Sequence, residues 1–357
     1  MLKDFFNNIF INLQGLELFL AQTVSMLLTS LIICLFSMKL FLKIINKKNI
    51  CRQPIRESGP ESHLKEKKDT PTMGGLMIIL STIITCALWL DLGNIYILTT
   101  LLVFLFFAAI GFIDDLIKVK GSNIKGFRGS FKIILQFLIA GIAILFLQTQ
   151  DPQYLNGLIQ VPFSNYEINI GILYSLFAIV IIVGSANSVN LTDGLDGLVS
   201  VPVIISLVCF IIISYIVKTP ELALRMQTNI FFQAQNVAFL CAVFIGSILG
   251  FLKYNLKPAK IFMGDVGSLS IGALIGIIAV ILKIELIFFI IALLFVIEAL
   301  SVILQVASFK LRRKRVFLMA PIHHHFEKKG LKEQEVVRMF WLAALIFAII
   351  GLLGFII

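Results

Sequence analysis

Long apolar runs constrain this chain more than any other feature. Ten of them stand out, at about 18–42, 73–90, 95–113, 131–148, 170–190, 198–217, 234–252, 267–282, 286–309 and 337–357. A membrane-spanning helix needs roughly 17–25 mostly apolar residues. The eighth run is short, and Lys283 beside it can snorkel to the interface. Composition closes the argument: 59% of the 357 residues are apolar and 14% charged, against roughly 45–50% and 25% in soluble domains. One soluble core cannot hide that surface, and disorder or a disulfide scaffold is excluded by the same figures. Cys34, Cys86, Cys209 and Cys241 lie in apolar runs and Cys51 in a basic loop, without CxxC or Cys/His spacing. They read as small hydrophobes. The expected fold is an all-α polytopic membrane protein of ten transmembrane helices, a single integral-membrane domain over residues 1–357.

Basic residues orient the spans. Grouped alternately, the loops at 39–70, 118–132, 253–260 and 310–338 hold 26 of the 30 Lys and Arg residues. That set is expected to be cytoplasmic, with both termini outside. Glu17 and other polar residues interrupt the N-terminal stretch, so no cleavable signal is expected, and Phe5–Leu13 reads as a short interfacial helix. The net charge of +10 is concentrated on one face. Nucleic acid is a poor partner for bases split among membrane loops; anionic lipid or an anionic cytoplasmic substrate fits better. Outside, apolar residues alternate through Ile159–Ile170 around Ser164-Asn165, the pattern of a small β-hairpin.

On this map five carboxylates gather at the cytoplasmic boundary. Asp114 and Asp115 end the third run, Asp193 and Asp196 follow the fifth, and Asp265 precedes the eighth. Ion pairs with loop lysines are the bland reading, but ionisable groups near hydrocarbon are functional candidates by default. Asp193 and Asp196, with Asn187 and Asn190, share a face if a helix continues through them. Asp114 and Asp115 diverge by about 100° on a helix and so have different tasks. Converging carboxylates beside Gly194, Gly197, Gly264 and Gly267 suit Mg²⁺ and a phosphate. Lys118 and Lys132 can neutralise a pyrophosphate. No GxxxxGK[ST] loop occurs. His323, His324 and His325 lack zinc-ligand spacing and read as lining a phosphate or sugar site. Glu298, Ser301, Gln305 and Ser308 form one stripe, read as a helix–helix seam.

Six segments then become familiar: Gly59-Pro60-Glu61-Ser62-His63, Thr70-Pro71-Thr72-Met73-Gly74-Gly75, Gly111-Phe112-Ile113-Asp114-Asp115, Asn190-Leu191-Thr192-Asp193-Gly194-Leu195-Asp196-Gly197, Phe262-Met263-Gly264-Asp265-Val266-Gly267-Ser268 and Ala320-Pro321-Ile322-His323-His324-His325-Phe326. In them the sequence resembles the phospho-N-acetylmuramoyl-pentapeptide transferases, bacterial membrane enzymes that make lipid I for peptidoglycan. The Asp motifs mark the wider polyprenyl-phosphate sugar-1-phosphate transferase superfamily; the PTMGG and triple-His segments narrow it. The resemblance implies attack of undecaprenyl phosphate on UDP-N-acetylmuramoyl-pentapeptide, releasing UMP, with Mg²⁺.

Carried over, Asp265 is the expected Mg²⁺ ligand and Asp114 and Asp115 the paired acids beside it. Asn190, Asp193 and Asp196 line the nucleotide side with Asn255 nearby, and Asn187 joins the substrate-binding set by its spacing from Asn190; Lys118 and Lys132 stand in the cleft. His323, His324 and His325 line the site, His324 ranking first as catalytic. Glu298 matches an acid in a bent ninth span beside a groove for the lipid tail. The implied setting is the bacterial inner membrane, with periplasmic termini, a cytoplasmic site, surrounding membrane lipids and room for a homodimer. Asp69 departs from the family's glycine, Leu64–Lys68 is one residue longer, and Lys257 replaces a tyrosine. The lysine of 65–68 that meets substrate is left open. A transporter would place its charges at the midplane, and a UDP-N-acetylglucosamine transferase would lack the triple-His and PTMGG segments.

Overall fold

A computed structural model describes residues 13–48, 51, 70–121, 126–151, 157–164 and 166–357. The Gly59–His63 segment, Lys65–Lys68 and nearly all of Phe5–Leu13 lie outside them. The helices are α1 (Gly15–Lys48), α2 (Gly75–Trp89), α3 (Ile95–Val119) and α4 (Gly129–Gln150). Strands β1 (Leu158–Gln160) and β2 (Glu167–Asn169) follow, then α5 (Leu173–Thr192), α6 (Ser200–Lys218), α7 (Pro220–Arg225) and α8 (Ala234–Asn255). The chain closes with α9 (Asp265–Ile281), α10 (Glu285–Ile291), α11 (Leu293–Arg312), α12 (Ile322–Lys328) and α13 (Glu333–Ile356).

A helix stands at each of the ten apolar runs. Among the described residues eight helices, α1, α3, α4, α5, α6, α8, α11 and α13, are long and apolar enough to cross a membrane. Helices α2 and α9, at 15 and 17 residues, fall short of that length. The reason differs between them. Helix α2 starts late, because Pro71–Gly74 is bonded to the segment before α9: Phe262 N donates to Pro71 O, and Gly74 N to Phe262 O. Helix α9 is the axis of the molecule, with every residue from Val266 to Ile281 buried. A helix apolar on all sides is a buried one, and here the neighbouring helices cover it.

Around that axis α3 and α5 pack on α9, while α8 is clasped by α1, α2 and α6. Gly111 permits a close crossing of α3 on α9, since a Cβ there would strike the backbone carbonyl of Asp265. Helix α1 is the opposite case. Leu16, Leu20, Val24, Leu28, Ile32, Phe36, Leu40 and Ile44 run along it as an exposed stripe at four-residue spacing, which only hydrocarbon or another apolar surface can cover.

The ninth run is not one helix. It breaks at Ala292, where φ and ψ of −92° and 13° separate α10 from α11. Beside the break a mostly apolar groove of about 380 Å³ opens between α5, α9, α10 and α11, walled by Phe177, Val180, Ile181, Phe289 and Phe295. The hairpin forms as the alternation implies, antiparallel with Ile159 opposite Ile168. Phe163 N donates to Gly354 O and so ties it to the end of α13.

Candidate functional site

Three acids meet where four helices end. The last turns of α3 bring Asp114, Asp115 and Lys118; the first turn of α4 brings Lys132; the last turn of α5 brings Asn190; Asp265 opens α9. Asp114 and Asp115 are 3% and 1% exposed. Their divergence on α3 sends them to different partners. Asp114 accepts from Phe127 N (2.6 Å) and pairs with Lys118 (2.5 Å) and Lys132 (3.5 Å). Asp115 turns to the start of α9 and accepts from Val266 N (3.0 Å), a carboxylate placed on the positive end of a helix dipole. Gly264 makes that approach feasible: its φ is +76°, and a Cβ there would stand 2.5 Å from the Asp115 carboxylate.

Asp265 is held on both oxygens. Oδ2 takes Lys132 (2.6 Å) and Lys118 (3.2 Å), and Oδ1 takes Asn190 Nδ2 (3.0 Å). Asn190 also donates to Ser268 Oγ (2.8 Å), a residue one turn into α9. Cys51 folds back beside this cluster, and burial together with the charge of Asp115 pushes its thiol up from the ordinary range. That makes it a poor thiolate, in keeping with the reading of the cysteines as small hydrophobes.

The remaining predicted residues divide. Helix α5 stops at Thr192, with Asp193 as its C-cap, and residues 193–199 turn away. The shared helical face expected of Asp193 and Asp196 therefore does not form. Asp196 instead accepts from Ala259 N (3.0 Å) and donates its own backbone N–H to Glu333 (2.9 Å). Asn255 is 2% exposed and bonded to backbone at both ends, accepting from Gly197 N (3.0 Å) and donating to Ile261 O (3.0 Å). Lys257 closes the seam on Glu333 at 2.6 Å. Asn187 donates to Gln136 on α4 (2.6 Å). These groups brace the loop after α5, and Glu333 and Gln136 are partners that sequence spacing did not reveal.

The histidines sit on α12, each in a different setting. His323 is fully buried with Nδ1 2.9 Å from Glu298, and its ring lies against Gly194, where a Cβ would collide with it. The 193–199 turn and the histidine segment therefore touch. His324 Nδ1 lies 2.7 Å from Glu327. His325 Nδ1 accepts from Leu318 N at 3.1 Å.

A model of glycosyl transferase family 4 matches residues 94–283, and a phospho-N-acetylmuramoyl-pentapeptide-transferase signature matches residues 67–79. The phospho-N-acetylmuramoyl-pentapeptide-transferase of Rickettsia prowazekii (strain Madrid E) is 48% identical over 302 residues, covering 84% of this chain and 83% of that protein. The chain belongs to this family. It is a multi-pass membrane protein, and every acid, lysine and asparagine of the cluster falls inside the family 4 match.

As a transferase centre the cluster has a suitable charge and donor set. Asp114, Asp115 and Asp265 each offer an oxygen, all within 4.8 Å of one another, and could hold a metal ion. Asp115 Oδ1 is buried and accepts no hydrogen bond from the described residues. Two ammonium groups face three carboxylates, so with all five ionised the cluster carries one net negative charge. An anionic substrate would be repelled by that charge, and a divalent cation would reverse its sign. Carboxylate oxygens are the donors a hard cation takes.

Proposed function

We propose that this chain transfers phospho-N-acetylmuramoyl-pentapeptide from UDP to undecaprenyl phosphate, giving lipid I and UMP for peptidoglycan synthesis. The reading is carried by one juxtaposition. The acid–lysine cluster lies within the family-matched segment, and the apolar groove beside it ends at Ser188 and Val189, just before Asn190. A long-chain lipid phosphate has its tail in such a groove and its head at the lysines. Its phosphate oxygen attacks the sugar-linked phosphorus of the donor. The bond from that phosphorus to the bridging oxygen breaks, and the electron pair leaves with UMP.

Lys118 and Lys132 contact carboxylate oxygens now, and phosphate oxygens present the same kind of acceptor, so these ammonium groups hold the diphosphate as charge accumulates. Asp265 would hold Mg²⁺ with Asp114 and Asp115 within reach; when bound, the ion supplies charge neutralisation at the phosphates. A phosphate monoester has its second pKa at about 6. The acceptor therefore needs little help to lose its proton, which favours direct displacement over a phospho-aspartate intermediate. Asp114 and Asp115 orient it.

In this reading ten segments cross a bacterial inner membrane as one domain, with periplasmic termini and the cluster on the cytoplasmic face. Membrane lipids cover the α1 stripe, and nucleic acid has no part. The test is UMP release by purified protein, with and without Mg²⁺, from UDP-N-acetylmuramoyl-pentapeptide and from UDP-N-acetylglucosamine. Release from the first donor only, and only with Mg²⁺, is expected. Equal release from both would overturn the donor assignment.

A further inference from the structure

The polar stripe on α11 does something other than seal two helices together. Three of its four side chains leave the helix for the segment that leads into the histidines. Glu298 meets His323, and Ser308 Oγ donates to Lys314 O (2.9 Å). Gln305 makes the most bonds: its Oε1 accepts from Val316 N (3.0 Å) and Phe317 N (2.9 Å), and its Nε2 donates to Phe317 O (3.0 Å). One side-chain amide thus fixes two consecutive residues of an irregular segment. The next residue, Leu318, gives its N–H to His325 Nδ1, and the Phe317 ring meets the His325 imidazole edge-on at 5.7 Å.

A backbone N–H can only donate. The nitrogen receiving it must present a lone pair, so the proton of a neutral His325 lies on Nε2. His323 and His324 have the opposite arrangement, since their Nδ1 atoms face the carboxylates of Glu298 and Glu327, which can only accept as anions. Three consecutive histidines are therefore sorted by polarity.

We infer that Gln305 is a positioning residue for His325: by fixing residues 316 and 317 it aims the Leu318 amide at Nδ1 and commits His325 to donate from Nε2. A donor of fixed polarity suits phosphate or sugar oxygens, which accept. Only this last clause rests on the transferase reading; the arrangement of Gln305, Leu318 and His325 does not.

The chain has four histidines, few enough for nitrogen NMR of the full-length protein labelled with ¹⁵N-histidine in detergent. The His325 signals are identified by their loss in His325→Asn. Wild type is expected to show His325 as the Nε2–H tautomer, and Gln305→Ala to convert it to a mixture. Gln305→Glu keeps the acceptor for both N–H groups and should retain most of the tautomer, which separates positioning from a general loss of fold. In UMP release, Gln305→Ala should cost about tenfold in turnover, and the double variant Gln305→Ala/His325→Asn should be no slower than His325→Asn alone. An unchanged tautomer in Gln305→Ala, or multiplying losses in the double variant, would overturn the proposal. Absence of UMP release in wild type with the tautomer result intact would instead count against the transferase reading.

Discussion

At the scale of single residues, the cost of charge explains both what was legible and what was not. Asp114, Asp115 and Asp265 could be singled out because carboxylates at the edge of apolar runs are expensive and must have partners. Which oxygen meets which lysine depends on four helices converging, and no spacing within one segment encodes that. Asn255 illustrates the gap: the family resemblance implies a place near the nucleotide side, and no spacing foretells that its side chain bonds to backbone at Gly197 and Ile261. Asp265 carries the sharpest prediction. It anchors both lysines and Asn190, so Asp265→Asn should lower turnover by roughly 10²–10³ while changing substrate binding much less, because the lost charge acts mainly in the transition state. A Mg²⁺ titration of UMP release checks this. Asp91→Asn serves as control, since Asp91 is exposed and the described contact of its carboxylate is with Gly93 N. Near-normal turnover at unchanged Mg²⁺ dependence would pass the ligand role to Asp114 or Asp115.

At the scale of elements, the helices were readable because burial in lipid and burial in protein both demand apolar residues. Their interruptions were not. The α10–α11 break falls in a stretch without glycine or proline between Glu285 and Arg312, so no local signal marks Ala292. The end of α5 at Thr192 is better marked, by Gly194 just beyond it, but the path of the loop depends on its being drawn to Ala259 and Glu333. Helix contacts give two predictions. Gly111→Ala sets a methyl group against the Asp265 carbonyl and should cost about 1–3 kcal/mol, the usual range for an overpacked core, read as a lower thermal midpoint in detergent. Gly184 lines the groove, and no atom lies within 4 Å of a Cβ placed there. Gly184→Phe should therefore fold normally yet raise KM for the lipid phosphate by at least about fivefold, with KM for the nucleotide donor unchanged. Equal changes in both would mean that the groove does not serve the acceptor.

For the whole molecule, the distribution of charge is the feature sequence conveys best. The 26-to-4 division of basic residues needs only a list of apolar runs. Reporter fusions should read cytoplasmic at Lys329 and external at Gln227; a cytoplasmic signal from Gln227 would invert the map. The order in which the site's parts appear along the chain has a further consequence for biosynthesis. Asp114 and Lys118 can pair as soon as α3 is made, whereas their shared partner Asp265 comes at the head of the innermost helix. At translation rates of about 5–20 residues per second that wait lasts roughly 7–30 s. Until α9 packs between α3 and α5, Lys118 lacks the second carboxylate that the finished fold gives it. A nascent chain stalled before residue 265 should accordingly be the form that membrane proteases and insertion chaperones recognise, and arrival of one apolar helix should end that vulnerability.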